Sequence, residues 1–224
     1  VPFAIEQAIG VEFLAKMGRC ILADEIGIGK TAEAIKLLDY LQEQGDTRFL
    51  VLVSASILLQ WVAEIVKYAP SLQVEIVRSS RWSNRNTRKP KYNQIRMMGH
   101  RPIVVVASYD IFVSDLAEMY RFDWDAVIVD ESSAIKNTTT QRFKAVQVIS
   151  KVAKRMVMLT ATPLENDVMD LYANVEILYP GFLGDETSFR DKYVIEYEIP
   201  IQVNTSYYRR IKKIAGYKRL DELR

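Results

Sequence analysis

Apolar residues fall into short continuous runs separated by longer stretches of helical spacing. Cys20–Ala23, Phe49–Val53, Ile103–Ala107, Ala126–Val129 and Met156–Leu159 are such runs, four or five residues long and mostly rich in Val and Ile. Runs of this length predict strands buried on both faces. Between them, Ala34, Ile35, Leu38 and Leu41 fall on one helical face, as do Leu58, Trp61, Ile65 and Val66. A further amphipathic helix is predicted over 167–178, using Val168, Leu171, Tyr172 and Val175. Strands alternating with helices predict a mostly parallel α/β sheet with right-handed crossovers and helices on both faces. Ligands of such sheets bind at the carboxyl ends of the strands.

The composition, 49% hydrophobic and 26% charged over 224 residues, is that of a globular protein able to bury a real core. No run approaches the ~18 apolar residues of a membrane span. The single cysteine, Cys20, cannot form an internal disulfide, and the first residues lack a secretory pattern, so an intracellular protein is expected. One His and one Cys cannot build a zinc site. Cys20, Trp61 and Trp124 read as core, while Trp82 is undecided. The start at Val1 and the end at Arg224 inside a polar pattern suggest a piece of a longer chain.

Chemistry first enters where the Cys20–Ala23 strand runs into Asp24-Glu25-Ile26-Gly27-Ile28-Gly29-Lys30-Thr31 and a helix. Gly27 and Gly29 permit a tight turn whose N–H groups point inward, and the helix N-terminus favours an anion. Lys30 can reach β and γ phosphates, and the Thr31 hydroxyl can bind Mg²⁺. Asp24 stands where the usual phosphate-loop pattern has its first glycine.

A second strand runs directly into Asp130-Glu131. Two carboxylates at a strand tip facing a phosphate loop can divide nucleotide hydrolysis, Asp130 holding Mg²⁺ and Glu131 orienting and deprotonating water. A third strand ends in Thr160-Ala161-Thr162, whose small hydroxyl residues can sense the γ phosphate.

The net charge of +2 hides an uneven distribution. Eight basic and no acidic residues lie between Arg78 and Pro102, including Arg78, Arg81, Arg85 and Arg88, so the rest of the chain carries −6. A second cluster, Arg209, Arg210, Lys212, Lys213, Lys218 and Arg219, is interleaved with tyrosines. Such patches can neutralise nucleic-acid phosphates, although taken alone they read first as solvated, mobile loops.

In order and spacing these motifs resemble the first motor lobe of helicase superfamily two, and in detail the Swi/Snf-type duplex-DNA translocases. Ala23 to Thr31 is similar to that family's Ala-Asp-Glu-Met-Gly-Leu-Gly-Lys-Thr, which makes Asp24 a family trait. Gln7-Ala8-Ile9-Gly10-Val11 resembles the segment whose Gln reads adenine, so the resemblance implies that role for Gln7. It also implies nucleotide contacts for Asp24, Glu25, Gly27, Ile28 and Gly29. DNA contacts are implied for Ser54, Ser56 and Gln60, for the Ser108-Tyr109 pair, and for Lys136-Asn137 in Ala134-Ile135-Lys136-Asn137. The likeness continues through Leu164-Glu165-Asn166, Tyr179 to Gly184, Phe189-Arg190 and Tyr217 to Leu223.

Three departures matter: Ser54 replaces the family's proline, Ala161 stands where Gly is commoner, and Ser132-Ser133 replaces Gly-His or Ala-His. The missing His links hydrolysis to the third motif, a coupling role that passes to Ser133 with Thr160, Ala161 and Thr162. Ser133 has a shorter reach and no ring.

The expected architecture is a RecA-like P-loop lobe over 1–183 and an extension over 184–224 leading toward a second lobe. The expected function is the ATP-binding lobe of a Mg²⁺- and DNA-dependent ATPase that translocates on double-stranded DNA and remodels protein–DNA complexes. Arginine fingers would come from the other lobe, so this piece alone should hydrolyse ATP poorly. Alternatives are the motor of a restriction or anti-phage complex and a nucleic-acid-binding module without turnover.

Overall fold

The computed structural model describes residues 5–23, 29–78, 85–160, 168–204 and 207–223, with side chains described from residue 8 onward apart from 85–86, 201–209 and 211–212. Along the chain these form α1 (Ile5–Met17), β1 (Arg19–Ala23), α2 (Lys30–Glu43), β2 (Arg48–Val53), α3 (Leu58–Tyr68) and β3 (Gln73–Val77). Then come α4 (Arg85–Met97), β4 (Ile103–Ser108), α5 (Tyr109–Met119), β5 (Ala126–Val129), a 3₁₀ turn (Ser132–Ile135) and α6 (Gln141–Ser150). β6 (Arg155–Thr160), α7 (Val168–Leu178), α8 (Glu186–Tyr193), β7 (Val194–Asn204), β8 (Tyr207–Tyr217) and a last 3₁₀ turn (Leu220–Leu223) complete it.

Six strands form one sheet in the order β1-β6-β5-β2-β4-β3, every pair parallel. Successive strand side chains alternate between the two faces, and both faces are covered. Phe49, Val51, Val53, Val104, Val106, Ala126 and Ile128 pack with α1, α2 and α3 residues such as Leu14, Ile35, Leu38, Trp61 and Ile65. Leu50, Leu52, Val105, Val127, Val129, Met156 and Met158 pack on the other side with Tyr92, Ile95, Phe112, Phe143, Ile149 and Ile177 from α4 to α7. Each fully buried Val, Leu or Ile contributes roughly 1.5–3 kcal/mol, so the sheet is the stable body of the molecule. Val66 does not share its helix's inner face; it is 59% exposed.

Glycine at position 10 lets α1 close onto the first turns of α2, since a Cβ there would meet the carboxylate of Glu33. At the amino end of the sheet Asp125 ties β2 to β5, accepting from the Thr47 and Arg48 N–H groups (2.8 and 2.9 Å) and from Lys154 Nζ (2.5 Å). Burial raises the Asp125 carboxyl, but Lys154 and these N–H donors more than offset it and hold it below its usual value.

A third apolar cluster joins Val168, Met169 and Tyr172 of α7 to Phe189 and Tyr193 of α8 and Val194 at the base of β7. From it β7 and β8 run out as a two-stranded antiparallel ribbon. Among the described residues, no helix is long and apolar enough to cross a membrane.

Candidate functional site

Parallel pairing brings the carboxyl ends of the strands to one edge of the sheet. β1 and β6 end together, Ala23 opposite Thr160, and β5 lies beside β6 with Val129 opposite Met158. The turn after β1, the acidic pair after β5 and the hydroxyl segment after β6 therefore leave from three neighbouring strands. Asp24, Glu25, Gly27, Ile28, Ala161 and Thr162 lie outside the described residues, as does the side chain of Gln7.

Gly29 precedes α2 with φ +103°, a left-handed conformation that any Cβ would strain. Lys30 and Thr31 begin a helix of 14 residues, long enough for its N-terminus to carry a partial positive charge. Asp130 lies one residue beyond β5 and its N–H donates to the Leu52 carbonyl (2.9 Å), so the ladder with β2 fixes its backbone. Three further donors converge on it. Trp61 Nε1 donates to Oδ2 (2.7 Å), the Glu131 N–H to Oδ1 (2.9 Å), and the Tyr109 hydroxyl to the Asp130 carbonyl (2.6 Å).

Burial raises the Asp130 carboxyl above its usual value. The indole and amide donors and the Lys30 charge pull it down, while the Glu131 charge pushes it up, and the net shift is upward. Lys30 and Asp130, a hundred residues apart, are thus within electrostatic reach. Desolvation and the neighbouring carboxylate both favour a cation beside Asp130, whose oxygens are hard donors of the kind that suit Mg²⁺. Glu131 is exposed and held at φ +48°, a strained conformation of the kind that collects at functional sites.

β2 lies beside β5 and ends together with β4 on its other side, Val53 opposite Ser108. Ser54 is half-buried and bonds Ser56 (Oγ to Oγ 2.9 Å), while Ser56 and Gln60 are exposed, with Gln60 donating to Glu64. Arg78 is exposed, Arg81 lies outside the described residues, and the side chain of Arg85 does too. Lys136 and Asn137 are exposed on the loop after the first 3₁₀ turn, where Asn137 Oδ1 accepts from Thr139 and closes its own turn.

Three expectations for nucleic-acid contact need correction. Arg88 is 7% exposed: Asp115, fully buried, accepts from its Nε (2.6 Å) and Nη2 (2.7 Å). Its guanidinium is spent inside the protein, and Lys91 and Arg96 are paired likewise with Glu75 and Glu118. The basic stretch is thus partly helix α4 fastened to its neighbours. Tyr109 is 2% exposed under the Arg142 guanidinium, and Ser108 is buried beside it, so neither side chain faces a strand of nucleic acid.

Ser133, the expected coupling residue, is exposed, whereas Ser132 is buried with no hydrogen-bond partner for its hydroxyl among the described residues. Thr160 is buried at the end of β6. Trp61, expected as core alone, is core on one side and a hydrogen-bond donor to the acidic pair on the other. Only the polar tip of the indole could have signalled that, since a buried Trp N–H seeks a partner.

The model of the SNF2-related domain matches residues 7–223, nearly the whole chain and every motif described above. The chain belongs to this family. Among curated SNF2 relatives, "Chromatin-remodeling ATPase INO80" of Candida albicans is 33% identical over 194 residues, covering 83% of this chain and 14% of the relative. The same-named protein of Saccharomyces cerevisiae strain S288c is 32% identical over 193 residues, covering 83% and 13%. This SNF2 chain therefore spans about one seventh of such relatives. The "Sulfolobus solfataricus SWI2/SNF2 ATPase core in complex with dsDNA" superposes with TM-score 0.72 at 28% identity, covering 86% of this chain and 39% of that one. The corresponding core domain without DNA in its title gives 0.68 at 29% identity, covering 84% and 37%. The six-stranded sheet is that of the RecA-like lobe of these cores.

Proposed function

We propose that this chain is the ATP-binding lobe of a DNA-dependent motor that moves along double-stranded DNA and remodels protein–DNA complexes. The observation that carries the reading is that the chain leading to Gly29-Lys30-Thr31 leaves β1 and the Asp130-Glu131 pair leaves β5, the two strands that flank β6, with the Lys30 charge lowering the Asp130 carboxyl. The relatives' ATPase name and the duplex in the Sulfolobus structure support the substrate and the track. A chromatin role in the relatives also supports an intracellular setting.

Lys30 would neutralise the β and γ phosphates, with the N–H groups at the start of α2 facing them. Thr31 and Asp130 would hold Mg²⁺, which supplies charge neutralisation when bound. Glu131, exposed and unencumbered by Asp130's donors, would align water and take its proton. Gln7 would read adenine. Half-buried Ser54 and exposed Ser56 and Gln60, beyond β2, would meet one DNA strand's phosphates, with Arg78 and the Lys136-Asn137 loop adding further contacts. Residues 1–183 form the lobe and 184–224 an extension toward a second lobe, whose cations complete the site; alone, the chain turns over slowly.

The test is ATP turnover by the full-length protein with duplex DNA, single-stranded DNA, RNA or none. Duplex stimulation that disappears in Lys30→Ala is the expected result. A Lys30→Ala protein with full DNA-stimulated turnover would refute the reading.

A further inference from the structure

β2 and β4 are adjacent, and the segment leaving β2 carries a surface proposed to meet DNA. The segments leaving the two strands each send one buried donor to the same aspartate. From the β2 side, α3 exposes Gln60 and turns Trp61, 2% exposed, inward to the Asp130 carboxylate. From the β4 side, Tyr109 opens α5 and its hydroxyl holds the Asp130 carbonyl. The two bonds grip one residue from its side chain and its backbone.

Both donors are packed among core side chains and cannot reorient independently of their helices. A displacement of about 1 Å in either segment would stretch a 2.6–2.7 Å bond past useful length. Meanwhile Ser133, which stands where the family keeps its linking histidine, is exposed, and its hydroxyl makes no hydrogen bond among the described residues.

We infer that Trp61 and Tyr109 are positioning residues that couple DNA engagement to the nucleotide site by setting the place of the Asp130 carboxylate. The inference rests on the functional reading above and assigns its communication to two side chains. Coupling of this kind is reciprocal: DNA tightens Mg-nucleotide binding by the factor by which nucleotide tightens DNA binding.

The experiment compares full-length wild type, Trp61→Phe and Tyr109→Phe. Phe keeps the buried ring and removes only the donor. Dissociation constants for a non-hydrolysable ATP analogue with Mg²⁺ are measured with and without saturating duplex DNA, beside DNA affinity without nucleotide and thermal unfolding. Couplings of this type are typically about 5- to 150-fold, and each variant is expected to bring the factor down toward one. DNA affinity without nucleotide should stay within about twofold, because the exposed phosphate contacts are untouched. A merely structural role predicts nucleotide affinity falling equally with and without DNA, the factor intact, and that result overturns the inference. Should Trp61→Phe not fold, Tyr109→Phe decides alone, since it loses a single oxygen. If wild type shows no coupling, the functional reading falls, and this inference with it.

Discussion

Removing the Asp115 carboxylate separates a structural from a DNA-binding role for the basic stretch. Asp115 is fully buried and accepts from Arg88 twice and from the Tyr92 hydroxyl (2.8 Å). In Asp115→Ala the guanidinium of Arg88 stays inside without its counter-ion, which costs about 3–5 kcal/mol. In a domain near 200 residues each kcal/mol lowers Tm by about 2–4 °C, so a fall of roughly 6–20 °C is expected by thermal or urea unfolding. Replacing both partners, Arg88→Met with Asp115→Leu, removes the stranded charge and should recover most of the loss. The salt dependence of DNA binding by the double variant should match wild type, since a buried Arg88 releases no counterions. A slope reduced by about one with Arg88 replaced, or wild-type stability for Asp115→Ala, would refute the reasoning.

Three other outcomes are expected of the same molecule. Asp125 has a lowered folded pKa, so its contribution is present above the unfolded carboxylate value and lost as pH falls through the folded one. Asp125→Asn should therefore cost about 1.5–3 kcal/mol at neutral pH, with the gap to wild type closing on acidification in urea titrations across pH 2–7. Gly29→Ala forces a Cβ into φ +103° and should cost about 1–2 kcal/mol while abolishing nucleotide binding, measured by calorimetry. The Cys20 thiol, pushed up to about 11 by burial, is about one part in a thousand ionised at pH 8, so it should react with a thiol reagent only after unfolding.

The five strands of the sheet's interior and β1 edge were legible because burial on both faces leaves continuous apolar runs. β3 was not: at the sheet's other edge it alternates, with Val74 and Ile76 half-buried between Gln73, Glu75 and Val77, and no run forms. Helix α4 hid behind its charges and Pro90, because its inward residues include Arg88, which only a partner as distant as Asp115 makes burial-worthy. The β7–β8 ribbon did carry a signal, since Tyr197, Ile199, Ile201 and Val203 alternate with Glu196, Glu198, Pro200 and Gln202. The Lys30 and Asp130-Glu131 motifs could be read locally. The roles of Trp61 and Tyr109 could not, because a residue's spacing gives no hint of a hydrogen bond to an aspartate's carboxylate or backbone carbonyl about 70 or 20 positions away.

That division follows from how a parallel sheet is built. Strand interiors must satisfy neighbours on both faces, so their sequence is constrained within a few residues and shows itself. The tips answer to whichever strands lie adjacent, and adjacency here follows β1-β6-β5-β2-β4-β3, not chain order. Asp130 leaves β5 with the phosphate turn and Thr160 beyond one flank and Trp61 and Tyr109 beyond the other. A substitution at these tips touches little buried apolar area, whereas Leu50, Val105 or Ile128 are wholly enclosed. Tip variants such as Lys30→Ala should therefore lose nucleotide binding with Tm nearly unchanged, while Ile128→Ala should cost about 2–5 kcal/mol and, where it still folds, bind nucleotide normally. A Lys30→Ala protein that melted far below wild type would mean that the site is part of the scaffold and not carried by it.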